Sequence, residues 1–205
     1  ETAPRAMAVL RPLKLIIDNY PDGQTEELEI EVHPSHPEMG TRKTVFSKEL
    51  FIERDDFMVD PPKKYFRLYP GNEVRLKSAY FVTCTSFDTD ENGEITAVHC
   101  TYDPASRGGN SPDGRKVRGT IHWVSAEDSF RATVHLYDRL FNVENPSDES
   151  AGSFKDNLNP NSLVVLKDCL VEGGLANAKP GDVFQFMRQG YFCVDKKSNC
   201  DNIIF

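Results

Sequence analysis

Arg67, Arg75 and Lys77 stand on either side of the Pro70-Gly71 turn, with Lys63 and Lys64 just upstream. Cations gathered at a turn, on a chain that is otherwise acidic, suit a local contact with phosphates and base edges. Polar and apolar residues alternate around them. Val74, Leu76 and Ser78 are therefore expected on one face of a strand, and Arg75 and Lys77 on the other. A second constellation lies toward the far end. In Phe184-Gln185-Phe186-Met187-Arg188 the large aromatics alternate with Gln185, which turns Phe184 and Phe186 toward a core and Gln185 outward, with Arg188 following. An amide beside a guanidinium can read an unstacked base by hydrogen bonding. An ordinary amphipathic strand with polar exposed positions is the other reading of the same residues. Arg5 sits where an extended N-terminal segment enters the first strands.

Other chemistries find no support. No GxxxxGK[ST] loop, no GxGxxG and no Gly-x-Ser-x-Gly elbow occurs, and Arg107-Gly108-Gly109-Asn110 lies in a polar connection unsuited to cradling a phosphate. His33-Pro34-Ser35-His36-Pro37 reads as a rigid surface loop, because two prolines impose extended geometry and no third metal ligand is near. His99 and His135 fall in strands, as core or flank residues. The carboxylates are scattered over a solvated surface, so no catalytic group, cofactor or metal is expected within these residues.

The 205 residues suffice for one large or two modest domains. A net charge of −8, from 32 acids against 24 bases, argues against a binder that holds nucleic acid by bulk electrostatics. No apolar run of about 18 residues is present, so no membrane span is expected. Glu1 to Arg5 lacks the charged start and apolar core of a signal peptide. The five cysteines are odd in number and without CxxC spacing, which suggests buried, reduced thiols and a cytosolic chain.

Strand patterns must position the candidate residues. Leu13–Ile17, Glu27–Val32, Thr44–Phe46, Leu50–Glu53, Glu73–Thr85, Glu94–Tyr102, Lys116–Val124 and Ala132–Tyr137 read as strands. Asp90-Glu91-Asn92-Gly93 has the form of a hairpin turn, and Asp113-Gly114 is a second candidate. Ser162–Asp168 reads equally as a capped helix or as a strand. Residues 103–114 and 142–161 are irregular connections. So many short strands indicate an all-β protein of barrels or sandwiches.

Several of these stretches occur together, in the same order, in a known family. They are Ala3-Pro4-Arg5-Ala6-Met7-Ala8-Val9, Pro37–Gly40, Gly71–Ala79, Gly114–Val117, Ile121-His122-Trp123-Val124-Ser125, Leu136–Phe141 and Phe184–Cys193. Over nearly its whole length the chain resembles the C-terminal anticodon-binding region of bacterial-type glutaminyl-tRNA synthetases. The resemblance implies two consecutive β-barrels with few helices, a distal one over residues 12–105 and a proximal one from residues 1–11 with 106–205. It implies a module that binds the anticodon loop of tRNA(Gln). The parent would be a class I, ATP- and Mg-dependent cytoplasmic ligase of protein biosynthesis. Its HxGH and KMSKS motifs are absent here, so the catalytic domain is expected outside this chain. Expected partners are tRNA(Gln) and that catalytic domain, with no membrane and no DNA.

The family's positions imply that Arg5 and Gln185 hold the middle anticodon base, a uracil. Arg75 and Lys77 lie near the first base, Arg67 and Arg188 near the third, a guanine, and Pro34 and Ser35 on a loop against the splayed bases. Four positions depart from the family pattern: Ser35 stands for asparagine, Lys64 for glutamine, Phe66 for lysine and Lys77 for arginine. Lysine lacks arginine's bidentate fork, and Phe66 exchanges a donor for a stacking surface. A glutamyl-tRNA synthetase of archaeal or eukaryotic type, or a non-enzymatic β-barrel interaction domain, is the alternative reading.

Overall fold

Residues 6–10 set the plan of the molecule. Ala6, Ala8 and Leu10 pack into one core, while Met7 and Val9 pack into another. The two-residue period of an extended chain thus makes one short segment the common wall of two bodies. The computed structural model describes residues 2–109, 111, 113–148 and 152–205; Glu1 and Asn110, which figure above, lie outside them. Among the described residues there are strands and short 3-10 turns and no α-helix, so the protein is all-β as expected. No helix is long and apolar enough to cross a membrane.

The strands β1 (Arg5–Ala6) and β2 (Ala8–Val9) flank Met7 and enter different sheets. In the first body β3 (Pro12–Ile17) buries Leu13, Leu15 and Ile17 by alternation. It lies in a seven-stranded sheet ordered β10-β7-β8-β9-β3-β6-β11. The members are β6 (Glu49–Glu53), β7 (Glu73–Leu76), β8 (Phe81–Thr89), β9 (Ile95–Asp103), β10 (Thr120–Ile121) and β11 (Val124–Ser125). The hairpin of β4 (Thr25–Glu31) and β5 (Thr41–Ser47) covers this core with Leu28, Ile30 and Phe46. The second body holds β12 (Ser129–Tyr137) and β13 (Leu163–Glu172) between β2 and β16 (Ile203–Ile204). A separate sheet joins β1 to β14 (Val183–Phe186) and β15 (Gly190–Cys193).

Closure differs from the two closed barrels expected. The edge strands β10 and β11 are joined by His122 and Trp123, both turned inward, and not by a ladder. With Trp123 Nε1 donating to the Lys77 carbonyl (3.0 Å), the chain itself bridges the opening. Pairing also crosses residue 105: Thr120–Ser125 belongs to the sheet and core of the first body.

Other expectations resolve locally. Residues 163–168 are strand, within β13. The Asp90–Gly93 hairpin forms, with Gly93 at φ 81° and Asp90 N–H bonded to Glu94 O (2.9 Å). Asp113-Gly114 is a turn but joins no hairpin, since β9 and β10 are not neighbours. The strand through Lys77 stops at Leu76, because Ser78 takes a left-handed φ of 57° that no strand accommodates. Cys84, Cys100 and Cys169 are buried and free as expected. Cys193 and Cys200 are free but exposed, on a short outer strand and in a polar turn. His33 is buried, its ring edge-on to His36, and its Nδ1 accepts from the Ser35 N–H (3.2 Å).

His99 bridges Asp18 (2.8 Å) and Asp88 (3.1 Å) through its two ring nitrogens. These hydrogen bonds raise its pKa above the ordinary value. For a raised histidine the stabilisation is complete below the unfolded pKa of about 6.5 and is lost as pH climbs through the folded one. Urea midpoints are therefore expected to fall across that window. In His99→Gln this component of the pH dependence should disappear; an unchanged profile would mean the bridge contributes nothing.

Candidate nucleic-acid interface

Arg5 and Gln185, 180 residues apart, meet because β1 pairs in parallel with β14 in the register Arg5 to Gln185. The Arg5 N–H bonds to Val32 O (2.9 Å) and the Gln185 N–H to Pro4 O (2.9 Å). Backbone bonds thus fix both side chains before they touch each other. Arg5 Nε donates to Gln185 Oε1 (3.0 Å). Arginine only donates, so the amide orientation follows: its oxygen is engaged and its NH2 group remains to donate. What this pair offers a ligand is a set of donors.

The pair opens into a cavity of about 330 Å³, whose walls also include Lys77, His122, Met187 and Arg188. A second cavity of about 240 Å³ shares Arg5, Lys77 and Met187 with the first and adds Pro34, Ser78 and Glu31. Gln185 faces outward from β14 as expected, but its edge is paired with β1. Arg188 is not on the same strand edge: it occupies the turn between β14 and β15 at φ 66°.

The guanidinium of Arg188 is held by Asp56, with Nη1 and Nη2 each 2.6 Å from a carboxylate oxygen. That bond raises the arginine pKa further, against the cost of burial. Asp56 is 1 % exposed and also meets Arg67 Nε at 3.3 Å, so one buried carboxylate gathers Arg67 and Arg188. On the cavity side, His122 Nε2 lies 2.9 Å from Ala8 O and Nδ1 lies 3.4 Å from Arg188 Nη1. A carbonyl only accepts and a guanidinium only donates. Nε2 therefore donates to the carbonyl, and Nδ1 faces the guanidinium. Next in the turn, Gln189 donates to Glu53 (2.7 Å), whose carboxylate also accepts from the Leu10 and Arg11 N–H groups.

The remaining candidates divide. Lys64 lines a third, open groove of about 780 Å³ with Lys63 and Phe66. Arg75 lines none of these spaces: its guanidinium lies over the Phe81 ring (5.1 Å), and its buried Nε has no hydrogen-bond partner. Ser35 is exposed on the loop beside Pro34, outside both cavities. Arg5, Lys77, Gln185 and Arg188 thus come together, Pro34 adjoins them, and Arg67 stands behind Arg188. Sequence reasoning missed Asp56, which carries no signal in a run of acids, and the cavity roles of His122 and Met187.

Backbone conformation marks the same surface. Lys64, Ser78 and Arg188 are the non-glycine residues with positive φ among those described, and each lines one of these spaces. The left-handed conformation costs an L-residue about 1–2 kcal/mol. Such strain concentrates at functional sites.

Two family models match, both described as tRNA synthetases class I (E and Q), anti-codon binding domain, over residues 3–103 and 120–195. Among curated proteins, the chain is 54% identical over 204 residues to a glutamine–tRNA ligase of Bradyrhizobium diazoefficiens, covering 100% of this chain and 36% of the relative. It is 52% identical over 206 residues to that of Clostridium perfringens, covering 100% and 37%. With that of Pseudomonas putida the identity is 54% over 199 residues, covering 97% and 35%. The chain spans about a third of the length of these relatives.

Proposed function

This chain belongs to the anticodon-binding domain family of class I (E and Q) tRNA synthetases, and on that premise we propose that it reads the anticodon loop of tRNA(Gln) for a glutamine–tRNA ligase. The observation that carries the reading is the Arg5–Gln185 pair at the mouth of a cavity of about 330 Å³. That volume lies at the lower end of the range for ligand pockets and suits a single flat base. A uracil edge carries two carbonyl acceptors, which complement the donors left on Arg5 and Gln185. In this assignment Arg5 and Gln185 take the middle base, and Lys77, on the wall shared by the two cavities, approaches the first. Arg188, backed by Asp56 and Arg67, takes the third, and Pro34 and Ser35 pack against the splayed loop. Arg75 and Ser35 enter by side-chain rearrangement of the kind common at interfaces.

The parent protein is proposed to join glutamine to tRNA in the cytoplasm, with ATP and Mg bound by a catalytic part outside this sequence. The names of the relatives favour glutamine over glutamate as the amino acid.

The test is tRNA binding across anticodon variants at stated salt. Gln185→Ala is expected to cost about 1–3 kcal/mol and to relax discrimination at the middle base. Lys63→Ala should instead weaken all variants evenly and reduce the salt slope, as for a phosphate contact. An unchanged preference in Gln185→Ala would place the reading pocket elsewhere. No binding at any salt would favour a protein-interaction module.

A further inference from the structure

Phe66 is half exposed (50%) on the rim of the open groove, with the Arg118 guanidinium over its ring at 5.8 Å. The other rings there, Tyr65 and Tyr69, are partly buried and pack against each other (6.5 Å). Burial pushes the Tyr65 phenol up to about 12, so it stays a neutral donor to Asp55 O (3.1 Å). Phe66 is thus the ring the groove leaves available.

Charge points the same way. Lys63, Lys64, Lys116 and Arg118 line this groove, and none forms an ion pair with a carboxylate among the described residues. Of the two carboxylates on the groove, Glu73 is engaged by Arg115 through two bonds of 2.9 and 3.0 Å, which leaves Asp60 against four cations. On a protein of net charge −8 this is a local excess of positive charge around an exposed aromatic. Phosphates with an unstacked base between them are the matching ligand.

The groove also connects to the Gln185 cavity. Arg118 and Gly119 line the groove, and Thr120, Ile121 and His122 line the cavity, so residues 118–122 border both within at most about 14 Å. Gly119 permits the close passage: a Cβ there would stand 2.4 Å from the Phe66 carbonyl oxygen.

We propose that Phe66, braced by Arg118, is a stacking platform for an additional unstacked base of the bound RNA, with Lys63 and Lys116 holding the adjoining phosphates. This subsite rests on the RNA-binding reading above. It is separate from the base held by Arg5 and Gln185, and it reads stacking rather than sequence.

The experiment uses the 205-residue chain and an anticodon stem-loop RNA carrying 2-aminopurine at one loop position at a time. With the unaltered chain, fluorescence at one position outside the three anticodon bases should be quenched by stacking. Phe66→Ala should abolish that quench and weaken binding roughly five- to hundred-fold. Phe66→Trp should keep both, and Phe66→Leu should lose both, which separates an aromatic face from mere bulk. Phe66 packs into neither core, so unfolding midpoints should not move. If Phe66→Ala binds and quenches like the parent while Gln185→Ala still shifts anticodon preference, the platform is refuted and the function stands. If the unaltered chain binds no stem-loop at all, both fall.

Discussion

Arg188→Ala is expected to lower the unfolding free energy by about 3–5 kcal/mol, a larger loss than a truncated surface arginine would give. The reason lies in what remains. Asp56 is 1 % exposed and spends its two oxygens on Arg188 at 2.6 Å each, leaving only Arg67 Nε at 3.3 Å once the guanidinium is gone. A carboxylate in that position cannot recover its hydration. The companion variant separates architecture from recognition. Arg188→Ala with Asp56→Asn removes the stranded charge and should regain most of the stability. It should regain none of the tRNA affinity, nor discrimination at the third anticodon base, because the donors that face the cavity are still missing. Urea unfolding and binding across anticodon variants read the two quantities independently. If the double variant binds as tightly as the parent, Arg188 serves only to hold the two bodies together.

That dual role explains why the candidate site was only partly legible in the sequence. Alternation in Leu13–Ile17 and Val74–Leu76 specifies buried faces, and Asn92-Gly93 supplies the left-handed turn of a hairpin, so the strands could be read locally. The pairing of Arg5 with Gln185 could not, because it depends on a parallel register between residues 180 apart. It became readable only through resemblance to a family. Asp56 was invisible for a different reason. It belongs to an Arg54-Asp55-Asp56 run that looks like any solvated turn, and its burial follows from where Leu68 and Arg188 arrive. The break at Lys77-Ser78 was missed because an unbroken apolar run, Ala79 to Val82, follows the point where φ turns positive and reads as more of the same strand. Closure was misjudged because two edge strands of two residues each cannot announce in sequence whether they pair with one another or with β6 and β7.

Glu172→Ala should produce an effect of similar size at a distance from the cavity, again about 3–5 kcal/mol. Glu172 ends β13 in the second body and is 3% exposed, with Oε1 and Oε2 accepting from Arg42 of β5 at 2.7 and 3.0 Å. Burial pushes the Glu172 carboxyl above the usual carboxylate range despite the opposing pull of Arg42. A raised acid means that the folded state takes up a proton more readily than the unfolded one. The Glu172 component of stability therefore increases as pH falls through the folded pKa toward the unfolded one, opposite to ordinary acid denaturation. The pair is consequently a fastening between the bodies and not a net source of stability. Removing one partner leaves the Arg42 guanidinium, 16% exposed and already with one nitrogen unpaired, without its counter-charge. Replacing both, as Arg42→Met with Glu172→Leu, should be near neutral for stability. Function should respond differently. Arg42 leads out of the loop that carries Pro34 and Ser35, and that loop is tied to Arg5 through Val32. Glu172→Ala should therefore weaken tRNA binding by loosening the wall of the second cavity. Glu172→Gln, which keeps an acceptor for Arg42, should retain most of it. A double-mutant cycle on unfolding, run beside tRNA binding, checks both halves. Should Glu172→Ala lose stability while binding stays intact in the fraction still folded, the fastening would not extend to the Pro34 loop.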